Sequence, residues 1–190
     1  MSIIKLLEER RSYYQINKKL PVTEDEIIKL IYDVTRLVPD AFNMKSARVA
    51  IVLGKKHEQL WDIIYNAFDG KVTLAKIAGF RSGAGTILYF YDQKVVNALQ
   101  SKFPAYANNF PIWSQQANGM LQFSIWSALR ELDIGASLQH YNPVIDTKVR
   151  KFLNLPTNYI LVAQMPFGGI AAEPATKPQE DISQRVSIHK

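Results

Sequence analysis

Three short runs of mostly apolar residues constrain the fold of this chain most strongly. They cover residues 49–53, 86–91 and 159–163, and β-branched or aromatic side chains are frequent in all three. Runs of this length and composition are typical of strands that are buried in the interior of a sheet. We therefore predict three buried strands, with helical segments between them.

Helical periodicity dominates the rest of the chain. Thr23 and Glu26 have the spacing of a capping box, and apolar residues follow at helical spacing until Pro39. Shorter helices are expected near the N-terminus and at about residues 145–153. The longest helical pattern, at about residues 114–132, is apolar on more than one side, which is typical of a helix at the centre of a fold or at an interface.

Size and charge restrict the class of protein. The 190 residues fit one domain, and the formal charge of +6 comes from Lys and Arg residues scattered in ones and twos. Scattered cations disfavour a nucleic-acid groove and favour small anionic ligands. The sequence has no cysteine, no secretory signal and no apolar run long enough to span a membrane. We expect a soluble, cytoplasmic protein.

Two polar clusters are candidates for a ligand site. Residues 9–14 contain Arg10, Arg11 and Ser12, and residues 39–48 form a polar turn between a predicted helix and a predicted strand. Adjacent guanidinium groups with a hydroxyl can bind a phosphate, and an amide-bearing turn suits the polar edge of a ring. The clusters therefore suggest an anionic ligand, although a solvated arginine pair at a helix end is an equally good interpretation of the first one.

Other familiar sites are disfavoured. The glycines of residues 79–85 precede a predicted strand, whereas a dinucleotide-binding fingerprint follows a strand and opens a helix. We interpret them as a turn into the strand. His57-Glu58 lacks the second histidine of a zinc helix, and no serine lies in a Gly-x-Ser-x-Gly elbow. Neither a metal site nor a hydrolase triad is expected.

The order of several short motifs resembles the FMN-dependent nitroreductase family, in particular the branch with the fungal Frm2-like and the copper-induced bacterial enzymes. The resemblance covers nearly the whole chain. It includes Arg-Arg-Ser at residues 10–12, Pro39 with Asn43 four residues later, and the segment at residues 135–143.

The resemblance implies an α+β fold in which helices flank a central, mostly antiparallel sheet, and an intertwined homodimer with FMN in two interface pockets. It also implies one FMN-binding domain over residues 1–190, whose C-terminal tail, from about residue 165 to 190, extends over the partner subunit.

The resemblance further implies roles for particular residues. Arg10 and Ser12 would bind the FMN phosphate, with Arg11 alongside and with help from Lys177 or Arg185. The other subunit would supply residues that border the ring and the ribityl chain, namely Pro39, Asp40, Ala41 and Asn43. A loop would present backbone N–H groups of Gln139 and His140 to flavin N5 and O4, next to Leu138.

The chain departs from the family pattern at two places. Asp40, Ala41 and Lys45 replace residues of a Pro-Ser-Ser-x-Asn-x-Gln turn, and Tyr14 stands where larger relatives have a lysine near flavin N1 and O2. Reduced flavin is anionic at N1 and is stabilised by a cation. The candidates for this cation are Lys45, Lys76 and Arg81, of which we prefer Lys76.

The implied activity is that of an oxidoreductase that transfers a hydride from NADH or NADPH through flavin N5 to a nitroaromatic or quinone-like acceptor, in a ping-pong cycle. Tyr106, Phe110 and Trp113 are candidates for the wall of the substrate pocket, and packing at the dimer interface is an equally good interpretation of them. Two alternatives stay open: a flavin-binding stress or redox regulator with incidental turnover, and a basic nucleic-acid-binding domain.

Overall fold

The computed structural model describes residues 2–178 and 180–190, so Met1 and Gln179 of the predicted domain lie outside it. The strands are β1 (Ile16–Asn17), β2 (Ala47–Leu53), β3 (Gly85–Asp92), β4 (Ile134–Ala136) and β5 (Tyr159–Ile170). The helices are α1 (Ile3–Glu9), α2 (Glu24–Leu37), α3 (Gly54–Ala67), α4 (Leu74–Arg81), α5 (Gln93–Lys102), α6 (Phe110–Glu131) and α7 (Asp146–Phe152). Short 3-10 helices cover Ala41–Asn43 and Pro104–Tyr106. None of the described helices is both long and apolar enough to cross a membrane.

The strands form one antiparallel sheet in the order β1-β5-β3-β2, and β4 also pairs with β5. Ile87 in β3 lies opposite Ile51 in β2 and Met165 in β5. Almost every residue of β3 is buried, as its uninterrupted apolar sequence predicts. The α+β class and the mostly antiparallel sheet are confirmed.

Helices cover both faces of the sheet. On one face, Ile87 and Tyr89 of β3 pack against the core-facing residues of α2 and α6. On the other face, Leu88 and Phe90 pack against α3, α4 and α7. Successive strand residues therefore serve two cores, because side chains alternate across a strand. The end of α1 lies against the C-terminal third of α6, at Trp126 and Arg130, whereas the turn after α2 lies near its N-terminal half, at Ala117 and Leu121.

The predicted capping box is present. The Thr23 hydroxyl accepts from the backbone N–H of Glu26, and the Glu26 carboxylate accepts from the backbone N–H of Thr23 at 2.8 Å. A cap of this kind stabilises a helix by about 1 kcal/mol. It fixes the start of α2, which ends just before Pro39 and the following turn.

The last strand is longer than its sequence pattern predicts. β5 continues to Ile170, so the tail leaves the sheet at Ala171, later than the expected boundary at about residue 165. Gly169 explains the extension, since a Cβ atom at this position would lie 1.9 Å from the carbonyl oxygen of Lys19. Gly169 lets the segment around Lys19 approach the strand closely, and it does not mark a turn.

The glycine-rich segment before β3 also differs from expectation. Its glycines predict a turn, yet its first residues, Gly79–Arg81, form the end of α4, and only the residues from Ser82 turn into β3. A Cβ atom at Gly79 would lie 2.9 Å from the carbonyl oxygen of Tyr14. The small residue therefore lets α4 lie directly against the segment that follows the arginine pair.

Candidate functional site

The arginine pair lies at the end of α1, where the chain turns toward the sheet. The Arg10 guanidinium lies 4.2 Å from the centroid of the Trp126 ring and 5.9 Å from that of Phe123, both on α6. Burial, and then the positive charge of Arg11, lower the pKa of Arg10. The Nε atoms of both arginines are buried and have no hydrogen-bond partner within the described chain. Each arginine therefore has a buried Nε–H donor without an acceptor among the described residues.

The backbone after the pair is fixed by β4 and α6. Ser12 bridges to Ala136 in parallel fashion, and the Tyr13 N–H donates to the Ala136 carbonyl oxygen at 3.0 Å. Arg130 donates from Nε to the Glu9 carbonyl oxygen at 3.2 Å. These bonds hold the segment of the arginine pair and Ser12 against β4 and α6.

The C-terminal tail reaches Arg11 but not Arg10. Arg11 donates from Nη2 to the carbonyl oxygen of Ala175 at 2.5 Å, two residues before the exposed Lys177. Arg185 instead forms an ion pair with Glu180 at 2.8 Å.

The second polar cluster is a strained turn. Phe42, Asn43 and Lys45 have φ values of 55°, 49° and 52°, in the left-handed region that non-glycine residues rarely adopt. Arg48 holds the turn, because its Nη1 donates to the Lys45 carbonyl oxygen at 2.8 Å and its Nη2 pairs with Asp92 at 3.0 Å. Strain of this kind clusters at functional sites.

This turn borders a cleft of about 490 Å³ between the end of α2, the start of β2 and α6. The predicted residues among its walls are Pro39, Asp40, Asn43 and Lys45. Ala117 and Leu121 of α6 form an apolar side of the cleft. Ala41 lies in the 3-10 helix of the same turn.

Asp40 is the acidic member of this cleft. One of its carboxylate oxygens accepts from the Ser46 N–H at 3.4 Å, and the other is buried without a partner in the described chain. Burial raises the pKa of Asp40, and hydrogen bonds from backbone N–H groups oppose the rise.

A separate cleft of about 420 Å³ lies between α4 and the segment after the arginine pair. Its walls include Tyr14, Lys76 and Gly79. The Lys76 ammonium lies 5.9 Å from the centroid of the Tyr141 ring. Arg81, another predicted cation, is engaged with Asp62 at 2.8 Å. Among the predicted cations, Lys76 therefore shares a cleft with Tyr14.

The loop at residues 138–140 requires one correction. The Gln139 N–H donates to the Gln164 carbonyl oxygen at 2.7 Å, and the Gln164 N–H returns a bond of 2.9 Å. The Gln139 N–H is therefore not available to a flavin, contrary to expectation. The exposed His140 is next in the chain, and its N–H has no acceptor among the described residues. Leu138 is half-buried against the core.

The predicted aromatic wall is only partly at the surface. Tyr106 is exposed and Trp113 is half-buried, but Phe110 is fully buried with Met44 and Val96. The prediction that Phe110 lines a pocket is therefore wrong, because an aromatic residue at helical spacing serves a core equally well. The sequence interpretation also missed Phe42, whose ring lies among these aromatic side chains.

Comparisons with known proteins agree with this fold. A family model described as "Nitroreductase family" matches residues 7–169. HBN1 from Saccharomyces cerevisiae is 32% identical over 177 residues, which are 92% of this chain and 91% of HBN1. Nitroreductase CinD from Lactococcus lactis, solved with nicotinic acid, is 41% identical with a TM-score of 0.93, and the match covers 100% of both chains. CinD was also solved with chloramphenicol and with 4-nitrophenol.

A structure from Exiguobacterium sibiricum, solved in complex with FMN, shares the fold with a TM-score of 0.78. It is 10% identical, and the match covers 100% of this chain and 98% of that chain.

The fold and these relatives define an α+β oxidoreductase. More particularly, the chain belongs to the nitroreductase family, and the resemblance inferred from the ordered motifs is confirmed.

Proposed function

We propose that this protein is an FMN-dependent oxidoreductase that uses NADH or NADPH to reduce nitroaromatic or quinone-like acceptors in a ping-pong cycle. The observation that carries the proposal is that the buried Nε atoms of Arg10 and Arg11 have no hydrogen-bond partner in the described part of the chain. A buried donor without an acceptor costs about 1–3 kcal/mol, and more when it is charged. A phosphate group offers acceptor oxygens of the opposite charge to both guanidinium groups.

The donor set fits FMN. Arg10, Arg11 and Ser12 would hold the phosphate, because they lie consecutively on a segment fixed by β4 and α6. Lys76 would place a cation beside the pyrimidine edge of the ring, since it lines the cleft next to this segment. The His140 N–H is the donor that remains for the N5 and O4 side. When bound, FMN supplies hydride acceptance and donation, so the chain itself needs to bind, orient and neutralise charge.

The two groups of predicted residues support a site shared by two copies of the chain. Tyr14 and Lys76 line one cleft, the residues of the strained turn line another, and no described residue lines both. Because the turn residues Pro39, Asp40, Ala41 and Asn43 would come from the other subunit, a homodimer would complete each FMN site.

Unpartnered surfaces support the homodimer as well. β2 is an edge strand of the sheet, and a groove of about 640 Å³ follows it, lined by apolar residues such as Ile28, Val49 and Ile51. The C-terminal tail exposes large apolar side chains at Ile182, Val186 and Ile188. We propose that the tail beyond Ala175, whose carbonyl oxygen contacts Arg11 of its own protomer, covers the partner subunit and buries these side chains there, and that Lys177 or Arg185 joins the partner's phosphate site.

The relatives support the substrate class. CinD binds chloramphenicol and 4-nitrophenol, which are both nitroaromatic, and nicotinic acid, which has the same ring as a nicotinamide. The exposed Tyr106 and the half-buried Trp113 offer aromatic surface of the kind that such rings stack on. We further propose a cytoplasmic location, where NADH and NADPH are supplied.

Turnover by the purified protein tests the proposal. Oxidation of NADH and of NADPH is measured with 4-nitroquinoline N-oxide, with a quinone and without an acceptor, before and after addition of FMN. We expect acceptor-dependent oxidation and a yellow protein. Protein that binds FMN but shows negligible turnover across the acceptors would favour the regulator, and colourless protein that FMN cannot reconstitute would contradict both.

A further inference from the structure

The side chain of Phe42 combines a strained backbone with an exposed ring. Its φ and ψ angles are 55° and 18°, a conformation that a bulky residue adopts only when its surroundings enforce it. Nevertheless 48% of the residue is exposed. The strained turn therefore leaves about half of this large apolar residue accessible to solvent.

Aromatic neighbours support the ring from beneath. Phe42 lies nearly parallel to Trp113, with an angle of 19° and a centroid distance of 5.4 Å. Phe103 and Phe110 lie at 5.1 and 5.2 Å, and the exposed Tyr106 lies at 5.7 Å. A ring held on several sides keeps one orientation, so a ligand that stacks on it loses little conformational entropy.

Phe42 belongs to the strained turn that borders the cleft, although its ring lies with Tyr106 and Trp113 and is not one of the walls of the cleft. Phe42 lies between Ala41 and Asn43 in the 3-10 helix, and Pro39, Asp40 and Asn43 line the cleft of about 490 Å³. The exposed aromatic surface therefore adjoins the residues that would border the flavin ring.

We propose that Phe42 is a specificity-determining residue, whose exposed ring stacks on the aromatic ring of the electron acceptor. This inference rests on the proposed function. The occupant is a planar aromatic acceptor, because a supported, apolar ring recognises the face of another ring and offers nothing to a compact, hydrated anion. Phe42 thereby favours nitroaromatic acceptors over ring-free ones.

Two variants and two acceptors test the inference in the FMN-loaded protein. Phe42→Leu removes the ring but keeps an apolar side chain, and Phe42→Trp keeps an aromatic face without creating a cavity. With 4-nitroquinoline N-oxide, Phe42→Leu should raise KM roughly two- to tenfold with little change in kcat, the size expected for one aromatic pair. Phe42→Trp should keep KM within about twofold of the wild-type value, and ferricyanide, which has no ring, should be reduced equally well by all three proteins.

Several outcomes would overturn the inference. One is an unchanged KM for 4-nitroquinoline N-oxide in Phe42→Leu, and another is an equal loss of activity with ferricyanide. A third is dissociation of Phe42→Leu to a monomer in size-exclusion chromatography with light scattering, which would show an interface role. Wild-type protein that turns over neither acceptor would overturn the proposed function and this inference with it. The variant-specific outcomes overturn only the role of Phe42.

Discussion

The guanidinium of Arg10 stacks on the indole ring of Trp126 at a distance of 4.2 Å. This contact connects the end of α1 to α6. Because the Arg10 Nε has no hydrogen-bond acceptor within the described chain, the stacked guanidinium retains a donor for an anion. The charge and the ring can be tested separately.

The first prediction concerns the charge. Arg10→Ala should raise the dissociation constant for FMN roughly ten- to a hundredfold, because a hydrogen bond to a charged group contributes about 1.5–3 kcal/mol. Titration of the apoprotein with FMN, followed by quenching of flavin fluorescence, measures the change. Arg150→Ala is the matched control. Arg150 lies in α7, on the face of the sheet opposite α6, and donates to the carbonyl oxygen of Thr157. Equal affinities for FMN in Arg10→Ala and Arg150→Ala would exclude Arg10 from the phosphate site.

The second prediction concerns the ring beneath the charge. Trp126→Leu should weaken FMN binding roughly two- to tenfold although Trp126 is not proposed to touch FMN, because a cation–π contact contributes about 0.5–1 kcal/mol and more when it is desolvated. Trp126 also donates from Nε1 to the Ala136 carbonyl oxygen at 3.1 Å. Trp126→Phe separates the two effects, since it keeps an aromatic face and removes the hydrogen bond. If Trp126→Leu binds FMN as tightly as the wild type, the ring does not position Arg10.

A third prediction concerns the cation near the flavin. Lys76→Met should make the two-electron reduction potential of bound FMN more negative by about 20–40 mV, which corresponds to about 1–2 kcal/mol of lost stabilisation of the reduced anion. Spectroelectrochemical titration measures this potential. Lys148→Met, which removes an exposed lysine from α7, should leave the potential unchanged. A potential that is the same in Lys76→Met and the wild type would require a different cation at N1 and O2.

A fourth prediction concerns stability toward acid. Burial lowers the pKa of His57 to about 4, and its Nδ1 forms a hydrogen bond of 2.9 Å with the Thr86 hydroxyl, which also accepts from Trp61. The unfolded chain takes up a proton near pH 6.5, whereas folded His57 stays neutral down to about pH 4. The unfolded state therefore binds more protons in this window, and stability is full above pH 6.5 and falls as the pH decreases.

Between pH 7.5 and pH 5, His57 should reduce the free energy of unfolding by about 2 kcal/mol. Urea denaturation of the wild type and of His57→Gln at both pH values, with FMN fixed at one concentration, isolates this contribution as a difference of differences. His189→Gln, in the exposed tail, should retain the wild-type pH dependence. An identical pH dependence in His57→Gln and the wild type would show that His57 is not held neutral.

The elements that the sequence predicted best have local physical signals. The capping box of α2, the uninterrupted apolar run of β3 and the long apolar pattern of α6 all occur where expected, because caps, burial and periodicity are written in neighbouring residues. β5 was underestimated because the close approach of Lys19 to Gly169 joins residues that are distant in sequence.

The candidate site likewise contains residues that the sequence indicates and residues whose position depends on the fold. The arginine pair and the turn at Pro39 were recognised because the order of short motifs follows a family. Phe42 was missed, since its left-handed backbone and its aromatic neighbours depend on the fold. Phe110 was misplaced because periodicity does not distinguish a pocket wall from a core. The occupied N–H of Gln139 became evident only from its pairing with Gln164.

Anaerobic half-reactions of the FMN-reconstituted protein test the central claim most directly. The visible absorption band of the flavin is followed in a stopped-flow instrument, first on mixing with NADH or NADPH and then on mixing the reduced protein with 4-nitroquinoline N-oxide. The account predicts that the band bleaches in the first step and returns in the second. A protein that acquires no flavin band on addition of FMN, or whose band is unaffected by both nucleotides, would contradict it.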